Sequence, residues 1–227
     1  MTGTPAIAAR GLSAGYHGAA AVRDIELEVH PGEVVLLAGA NGAGKTTTLM
    51  TLAGALRPLT GHTELGGRRC HDPVHRRVRA GVGVVTEKRV VFNQLTVAEN
   101  LRLGRGETAQ ALAHFPELEK RLGVKAGLLS GGEQQMLSLA RVLAAEPSVI
   151  LADELSLGLA PIVVKRLLAA LRAAADAGAA VLLVEQHVRL ALDAADRACF
   201  LHRGQLALTG TTDAIKQDPS RMEAIYL

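Results

Sequence analysis

The sequence predicts one α/β domain: a parallel-sheet core, an antiparallel sheet in front of it, and a helical lobe inserted between core strands. Three observations carry that prediction. Short, wholly apolar runs of strand length alternate with helical stretches, as happens when both faces of a parallel sheet are covered. The opening third instead joins β-rich runs through turn formers. Between about residues 87 and 146 the apolar runs stop and helical patterning takes over.

Taken in order, the runs at about Ala6 to Leu12 and Ile25 to Val29, broken by Gly15, Gly18 and Pro31-Gly32, read as the antiparallel front sheet. Val34 to Ala38 is apolar throughout and reads as a buried strand, followed by a helix over Lys45 to Ala53. Further strand-length runs at Gly83 to Val85, Val149 to Ala152 and Ala180 to Val184 continue the pattern, the last two bordered by helix. Helices are predicted over Thr96 to Leu103, Thr108 to His114 and Gly132 to Ala145, and these form the inserted lobe. No Pro-, Gly- or Ser-rich linker detaches it, and no internal repeat is visible. The division expected is therefore a core at about 1–86 and 147–227 with a lobe at about 87–146, all within one domain spanning 1–227.

Composition narrows the function classes. Aromatic residues are only 2% of the chain, so the core must be aliphatic. The formal net charge of +3 is scattered except at Arg68-Arg69 and Arg76-Arg77-Val78-Arg79, which argues against a nucleic-acid partner. Cys70 and Cys199 stand far apart, without the spacing of a zinc site or a disulfide framework, which fits a reducing cytosol. Met1 to Arg10 lacks the pattern of a secretory signal. No apolar run approaches the roughly 18 to 20 residues needed to cross a bilayer. A membrane role would have to be borrowed from partners.

Gly39-Ala40-Asn41-Gly42-Ala43-Gly44-Lys45-Thr46 matches the phosphate-loop spacing and sits between a buried strand and a helix, the context that pattern requires. Its glycines let backbone N–H groups turn toward phosphate oxygens, and the helix start adds partial positive charge. Lys45 supplies a full charge, Thr46 a hydroxyl for Mg²⁺, and Thr47 a further phosphate contact. Nucleotide binding is the expected consequence. Val149-Ile150-Leu151-Ala152 then ends in Asp153-Glu154, an acidic pair where a parallel sheet binds ligands. By itself such a pair is also what a solvated turn looks like. Beside a phosphate loop, and with neighbouring strand residues pointing to opposite sides, Asp153 is expected to hold Mg²⁺ and Glu154 to activate water as general base.

Leu129-Ser130-Gly131-Gly132-Glu133-Gln134-Gln135 opens a long helix with a capping serine and bare glycine amides, a second anion-suited helix start. In these residues the sequence resembles the signature motif of the ABC ATPases, and the resemblance extends from Ala6 to about Gly210. It implies a phosphate-loop NTPase (RecA-like) core that binds and hydrolyses ATP with Mg²⁺. It also implies pairing head to tail with a second ABC ATPase subunit, so that Ser130, Gly131 and Gly132 close on the γ-phosphate held by the partner's phosphate loop. Two transmembrane permease subunits and, indirectly, an external substrate-binding protein complete the assembly implied, at the cytoplasmic face of a bacterial membrane. Tyr16 matches the aromatic residue that stacks on adenine in that family; a core or surface role for it stays open.

Within the family the chain looks most like the ATPases of branched-chain (hydrophobic) amino acid importers, through Val85-Thr86-Glu87-Lys88-Arg89-Val90-Val91-Phe92, Leu95 to Leu101, Ser156-Leu157-Gly158-Leu159-Ala160-Pro161 and Val184-Glu185-Gln186-His187. The resemblance makes Glu87 the counterpart of the glutamine that couples the metal site to the permease. Counting along the last run puts Gln186 where most of the family has a switch histidine, with His187 one residue later as the other candidate. Leu155 stands where a proline usually follows the glutamate, and Ala160 where an aspartate is usual in the next loop. The segment Leu103 to Phe115 is shorter than this subgroup leads one to expect. ATPases for urea and short-chain amide importers, weakly hydrolysing regulatory subunits, and mechanical ABC ATPases of DNA or the ribosome are the competing readings.

Overall fold

The computed structural model describes residues 3–186 and 188–218. Its first two strands, β1 (Ile7–Tyr16) and β2 (Ala19–Val29), are longer than their apolar runs and form one hairpin joined by His17 and Gly18. Both joining residues have positive φ, 52° and 81°, which gives a tight turn the twist of the flanking strands. Gly15 is no turn former: it lies inside β1, paired with Ala20. Two strands not anticipated, β4 (Thr60–Leu65) and β5 (Arg68–Cys70), complete a front sheet of order β2-β1-β4-β5. Their polar sequences carry little apolar alternation, so the pattern that reveals a half-buried strand is missing.

The core strands are β3 (Val34–Gly39), β6 (Val82–Val85), β7 (Val149–Asp153), β8 (Ala180–Val184), β9 (Arg197–His202) and β10 (Gln205–Thr211), in the spatial order β10-β9-β3-β8-β7-β6. All neighbouring pairs are parallel except β9 with the edge strand β10. The helices that cover this sheet and build the lobe are α1 (Lys45–Leu52), α2 (Val74–Arg79), α3 (Val97–Arg102), α4 (Thr108–His114), α5 (Gly131–Leu143), α6 (Pro161–Asp176), α7 (Val188–Leu192) and α8 (Thr212–Gln217). The predicted helix over Lys45 to Ala53 thus stops one residue short, and that over Gly132 to Ala145 runs Gly131 to Leu143.

Every residue of β3 is buried, and the reason is visible in how its side chains divide. Val34, Leu36 and Ala38 join one apolar layer with Leu137 and Leu139 of α5 and Leu167 and Leu171 of α6. Val35 and Leu37 join the other, with Leu49 and Leu52 of α1 and Ile7 and Leu27 of the front sheet. A period of two with both faces covered leaves no place for a polar side chain, hence the unbroken apolar run.

Helices α3, α4 and α5 follow β6 and precede β7, so the helical stretch interrupts the core in sequence. α3 opens on a reciprocal cap, in which Thr96 Oγ1 accepts from the Glu99 amide and the Glu99 carboxylate accepts from the Thr96 amide at 2.7 Å. α1, which follows the phosphate loop, is held at its other end by a buried arginine. Arg77 donates to Leu52 O at 2.7 Å, Thr63 Oγ1 at 2.8 Å, Asp72 O at 2.8 Å and Cys70 O at 2.9 Å, tying α1 to β4, β5 and α2. Its burial pushes the guanidinium pKa below its ordinary value.

Candidate active site

Because β3, β8 and β7 are parallel neighbours, their carboxyl ends reach the same edge of the sheet. That edge is where an open α/β sheet presents ligand-binding residues. β3 delivers the loop from Gly39 to Gly44, β7 delivers Asp153 and Glu154, and β8 delivers Glu185 and Gln186. β6 lies beside β7 and leads into Glu87.

The loop is a tight wrap over the start of α1. Gly44 has φ 106°, and a Cβ there would stand 2.2 Å from Val22 Cγ1 of the front-sheet hairpin, so no other residue fits. Asn41, Gly42 and Thr46 are exposed, while Ala43, Lys45 and Thr47 are buried. No side chain caps α1 and no acid lies in its first turn, which leaves its first amides and their partial positive charge for an anion. Lys45 runs beneath the loop, 4% exposed, and its Nζ donates to Gly39 O at 2.9 Å and Ala40 O at 3.2 Å.

Across β8 from the loop, the two acids meet it directly. Lys45 Nζ is 3.8 Å from Glu154 Oε1, and Thr46 Oγ1 donates to Asp153 Oδ1 at 3.4 Å. Burial pushes the Asp153 carboxyl up to about 6; the Thr46 hydrogen bond and Lys45 oppose the shift, and the charges of Glu154 and Glu87 add to it. A buried carboxylate held up in this way, beside a hydroxyl oxygen, fits a hard divalent cation, whose charge reverses the penalty. Among the described residues no three His, Cys, Asp or Glu side chains group to hold a metal by themselves. Mg²⁺ there would complete its shell with phosphate oxygens and water.

The expectation that strand alternation separates the roles of Asp153 and Glu154 needs correction. β7 ends at Asp153, and Glu154 leaves the strand in the left-handed region at φ 47°. Such a conformation costs a non-glycine residue roughly 1–2 kcal/mol. It is held here by the Glu154 amide, which donates to Val184 O at 2.8 Å, and by Ser156, whose amide donates to Glu185 Oε1 at 3.0 Å and whose hydroxyl donates to Glu185 Oε2. What aims Glu154 is a turn anchored to β8.

Glu87 is exposed but close enough for Asp153 to feel its charge, so the structure brings it to the site. Gln186 follows the end of β8 by two residues and is half-buried. His187 lies outside the described residues. Tyr16, 53% exposed, ends β1 at the tip of the hairpin whose Val22 packs on Gly44.

Ser130, Gly131 and Gly132 form a separate feature at the start of α5. Ser130 Oγ accepts from the Glu133 amide at 3.3 Å, the Glu133 carboxylate accepts from the Ser130 amide at 2.8 Å, and Arg121 holds that carboxylate at 2.8 Å. The reciprocal cap makes a rigid helix start. Among the described residues no hydrogen bond or ion pair links it to the phosphate loop of its own chain.

Three further features escaped the sequence reading. The Arg89 guanidinium lies against the signature, 2.7 Å from where a Cβ on Gly131 would stand. Glu185 and Ser156 are 2% and 4% exposed and bonded to each other, yet 29 residues apart. Arg77 clamps the far end of α1. All three are long-range pairings, and no local spacing marks them.

Comparison with known proteins agrees with this geometry. Residues 22–156 match the ABC transporter family. The chain is 39% identical over 223 residues to the high-affinity branched-chain amino acid transport ATP-binding protein BraG of Pseudomonas aeruginosa, covering 94% of this chain and 96% of that one. It is 34% identical over 239 residues to the lipopolysaccharide export system ATP-binding protein LptB of Escherichia coli K12, covering 97% and 96%. Among solved structures, an ATP-binding subunit of an ABC transporter superposes with a TM-score of 0.82 at 29% identity over 95% of this chain and 93% of that one. A dimeric bacterial ABC transporter cassette does so at 0.79 and 23% identity, over 91% and 98%, a likeness of fold. With the phosphate loop, the acidic strand end and the signature helix all in place, this chain belongs to the ABC transporter family, as an ATP-binding subunit and an ATPase.

Proposed function

We propose that the chain powers import of branched-chain or other hydrophobic amino acids by hydrolysing MgATP between two ATPase subunits. The observation that carries the hydrolytic reading is the meeting of Lys45 with Glu154 at 3.8 Å and of Thr46 with Asp153 at 3.4 Å, at one edge of the sheet. Lys45 and the amides of the loop from Gly39 to Gly44 would bind the β- and γ-phosphates, with Thr47 as a further ligand and Tyr16 against the adenine. Thr46 and Asp153 would hold Mg²⁺, with Glu87 near its outer shell. Bound there, the ion would neutralise the charge that develops on the transferring phosphoryl group.

Glu154 would orient the attacking water and take its proton. Gln186, as an amide donor, would mark the γ-phosphate. The rigid start of α5, with Ser130, Gly131 and Gly132, would face the γ-phosphate bound by a second subunit, since among the described residues no bond ties it to its own loop. ATP then binds both subunits only when they close, so its contacts favour closure and its cleavage removes them. Among the described residues no helix is long and apolar enough to cross a membrane. Separate permease subunits would form the pathway, with this chain at the cytoplasmic face and an external binding protein delivering substrate to them.

The amino acid reading is supported by BraG, at 39% identity. The LptB relatives, at 34%, support a second reading, a motor for lipid export. Reconstitution separates them. In proteoliposomes holding this chain and the permeases encoded beside it, leucine-loaded binding protein is expected to stimulate ATP turnover and drive ATP-dependent leucine uptake. Turnover stimulated by a glycolipid carrier, and indifferent to amino acids, overturns the import reading.

A further inference from the structure

We propose that Glu185 is a positioning residue for hydrolysis: its buried carboxylate, accepting from both the amide and the hydroxyl of Ser156, fixes the left-handed turn that aims Glu154. The inference rests on the reading of Glu154 as general base. Three consecutive features make the case. Glu154 stands at φ 47°, a conformation a glutamate keeps only when its surroundings over-determine it. On one side its own amide is bonded to Val184 O at 2.8 Å, the last residue of β8. On the other, two residues on, Ser156 is bonded through its amide to Glu185 Oε1 at 3.0 Å and through its hydroxyl to Glu185 Oε2. The turn from 154 to 156 is thus pinned at both ends by adjacent residues of one strand end, and Leu155 between them is buried in the core.

Burial explains why the carboxylate matters. Ser156 is 4% exposed and Glu185 2%, so water cannot replace either acceptor if the carboxylate is removed. The turn would then have to move to satisfy the two donors, and Glu154 would move with it. The next residue after Glu185 is Gln186. One buried acid therefore sets the distance between the base and the switch position, and any shift of the β8 end is transmitted to both. Neither Glu185 nor Ser156 needs to touch the nucleotide for this.

The test uses the full chain in steady-state MgATP turnover, with ATP affinity from a fluorescent-nucleotide titration and a thermal melt for each variant. Ser156→Ala removes one of the two bonds, and Glu185→Met removes both at similar volume. We expect kcat to fall about 3- to 10-fold in the first and about 10- to 100-fold in the second, as misplacement of a catalytic group does. ATP affinity should stay within about threefold, because the phosphate loop is untouched. The double variant should fall no further than Glu185→Met alone, since both act through one linkage. The inference is overturned if kcat stays within twofold in Ser156→Ala and in Glu185→Met, or if every loss of kcat is matched by loss of ATP affinity and of melting temperature. Should Glu185→Met not fold, Ser156→Ala decides alone. Glu154→Gln, run in parallel, isolates the premise: normal turnover there overturns the base assignment itself, whereas an inactive Glu154→Gln beside an unaffected Ser156→Ala and an unaffected Glu185→Met refutes only the positioning role.

Discussion

Replacing Glu154 by glutamine removes one negative charge from a crowded pocket while keeping the side chain's size. In the wild-type chain that charge does two opposed things. As the proposed base, it would take a proton from water, a contribution typically of about 10²- to 10⁴-fold in rate. As a neighbour of Lys45 at 3.8 Å, it occupies part of the cation that the phosphates must recruit. At the effective dielectric of a protein surface that attraction is about 4 kcal/mol before both groups' desolvation is subtracted. It also repels the phosphates themselves. Glu154→Gln is therefore expected to cut turnover by about 10²- to 10⁴-fold while ATP binds at least as tightly as before. Phosphate release and nucleotide titration on the same preparation read the two quantities separately, and gel filtration with ATP reads the closed dimer that should accumulate. Phosphate release at a near-normal rate would refute the base assignment. A tenfold loss of ATP affinity would refute the electrostatic account of the Lys45 pair.

Other perturbations test other parts of the structure. Gly44→Ala forces a Cβ into φ 106° and onto Val22, so ATP affinity should fall more than tenfold by titration, with the sheet otherwise intact by circular dichroism. Chelating Mg²⁺ with EDTA should reduce turnover to background, and Asp153→Asn should raise the Mg²⁺ concentration for half-maximal activity at least tenfold. Ser130→Ala loses the cap of α5, about 1 kcal/mol, and so about 2–4 °C in the thermal melt, while turnover falls much further than ATP binding to the isolated subunit. Arg77→Met removes a cation that makes four buried or part-buried bonds at the end of α1; a loss of about 3 kcal/mol, or about 10 °C in Tm, is expected by differential scanning calorimetry.

The features legible in the sequence were those written in contiguous residues. The loop from Gly39 to Thr46, the apolar run ending in Asp153 and Glu154, and the capped start at Ser130 each carry their chemistry within a few positions, because strand, turn and helix start are local events. The strands at β3, β7 and β8 were legible for the same reason: full burial on both faces leaves an unbroken aliphatic run. β4, β5 and β10 were not, because an exposed or half-exposed strand can be polar and still pair; nor was β9, whose buried Ala198 to Leu201 stretch is short and flanked by Arg197 and His202. The left-handed turn at Glu154 left no mark either, since nothing in Asp-Glu-Leu-Ser requires positive φ.

By itself, then, the sequence determined the parts of a phosphate site and the helix start that complements it, because each depends on neighbours along the chain. Only the tertiary structure decided how they meet. The order β3-β8-β7 sets Lys45 against Glu154, and the end of β8 brings Val184 and, one residue on, Glu185 to the turn that holds Glu154 and Ser156. Those contacts join residues 29 to 109 positions apart, and what selects them is the packing of the sheet between two apolar layers rather than any spacing in the chain.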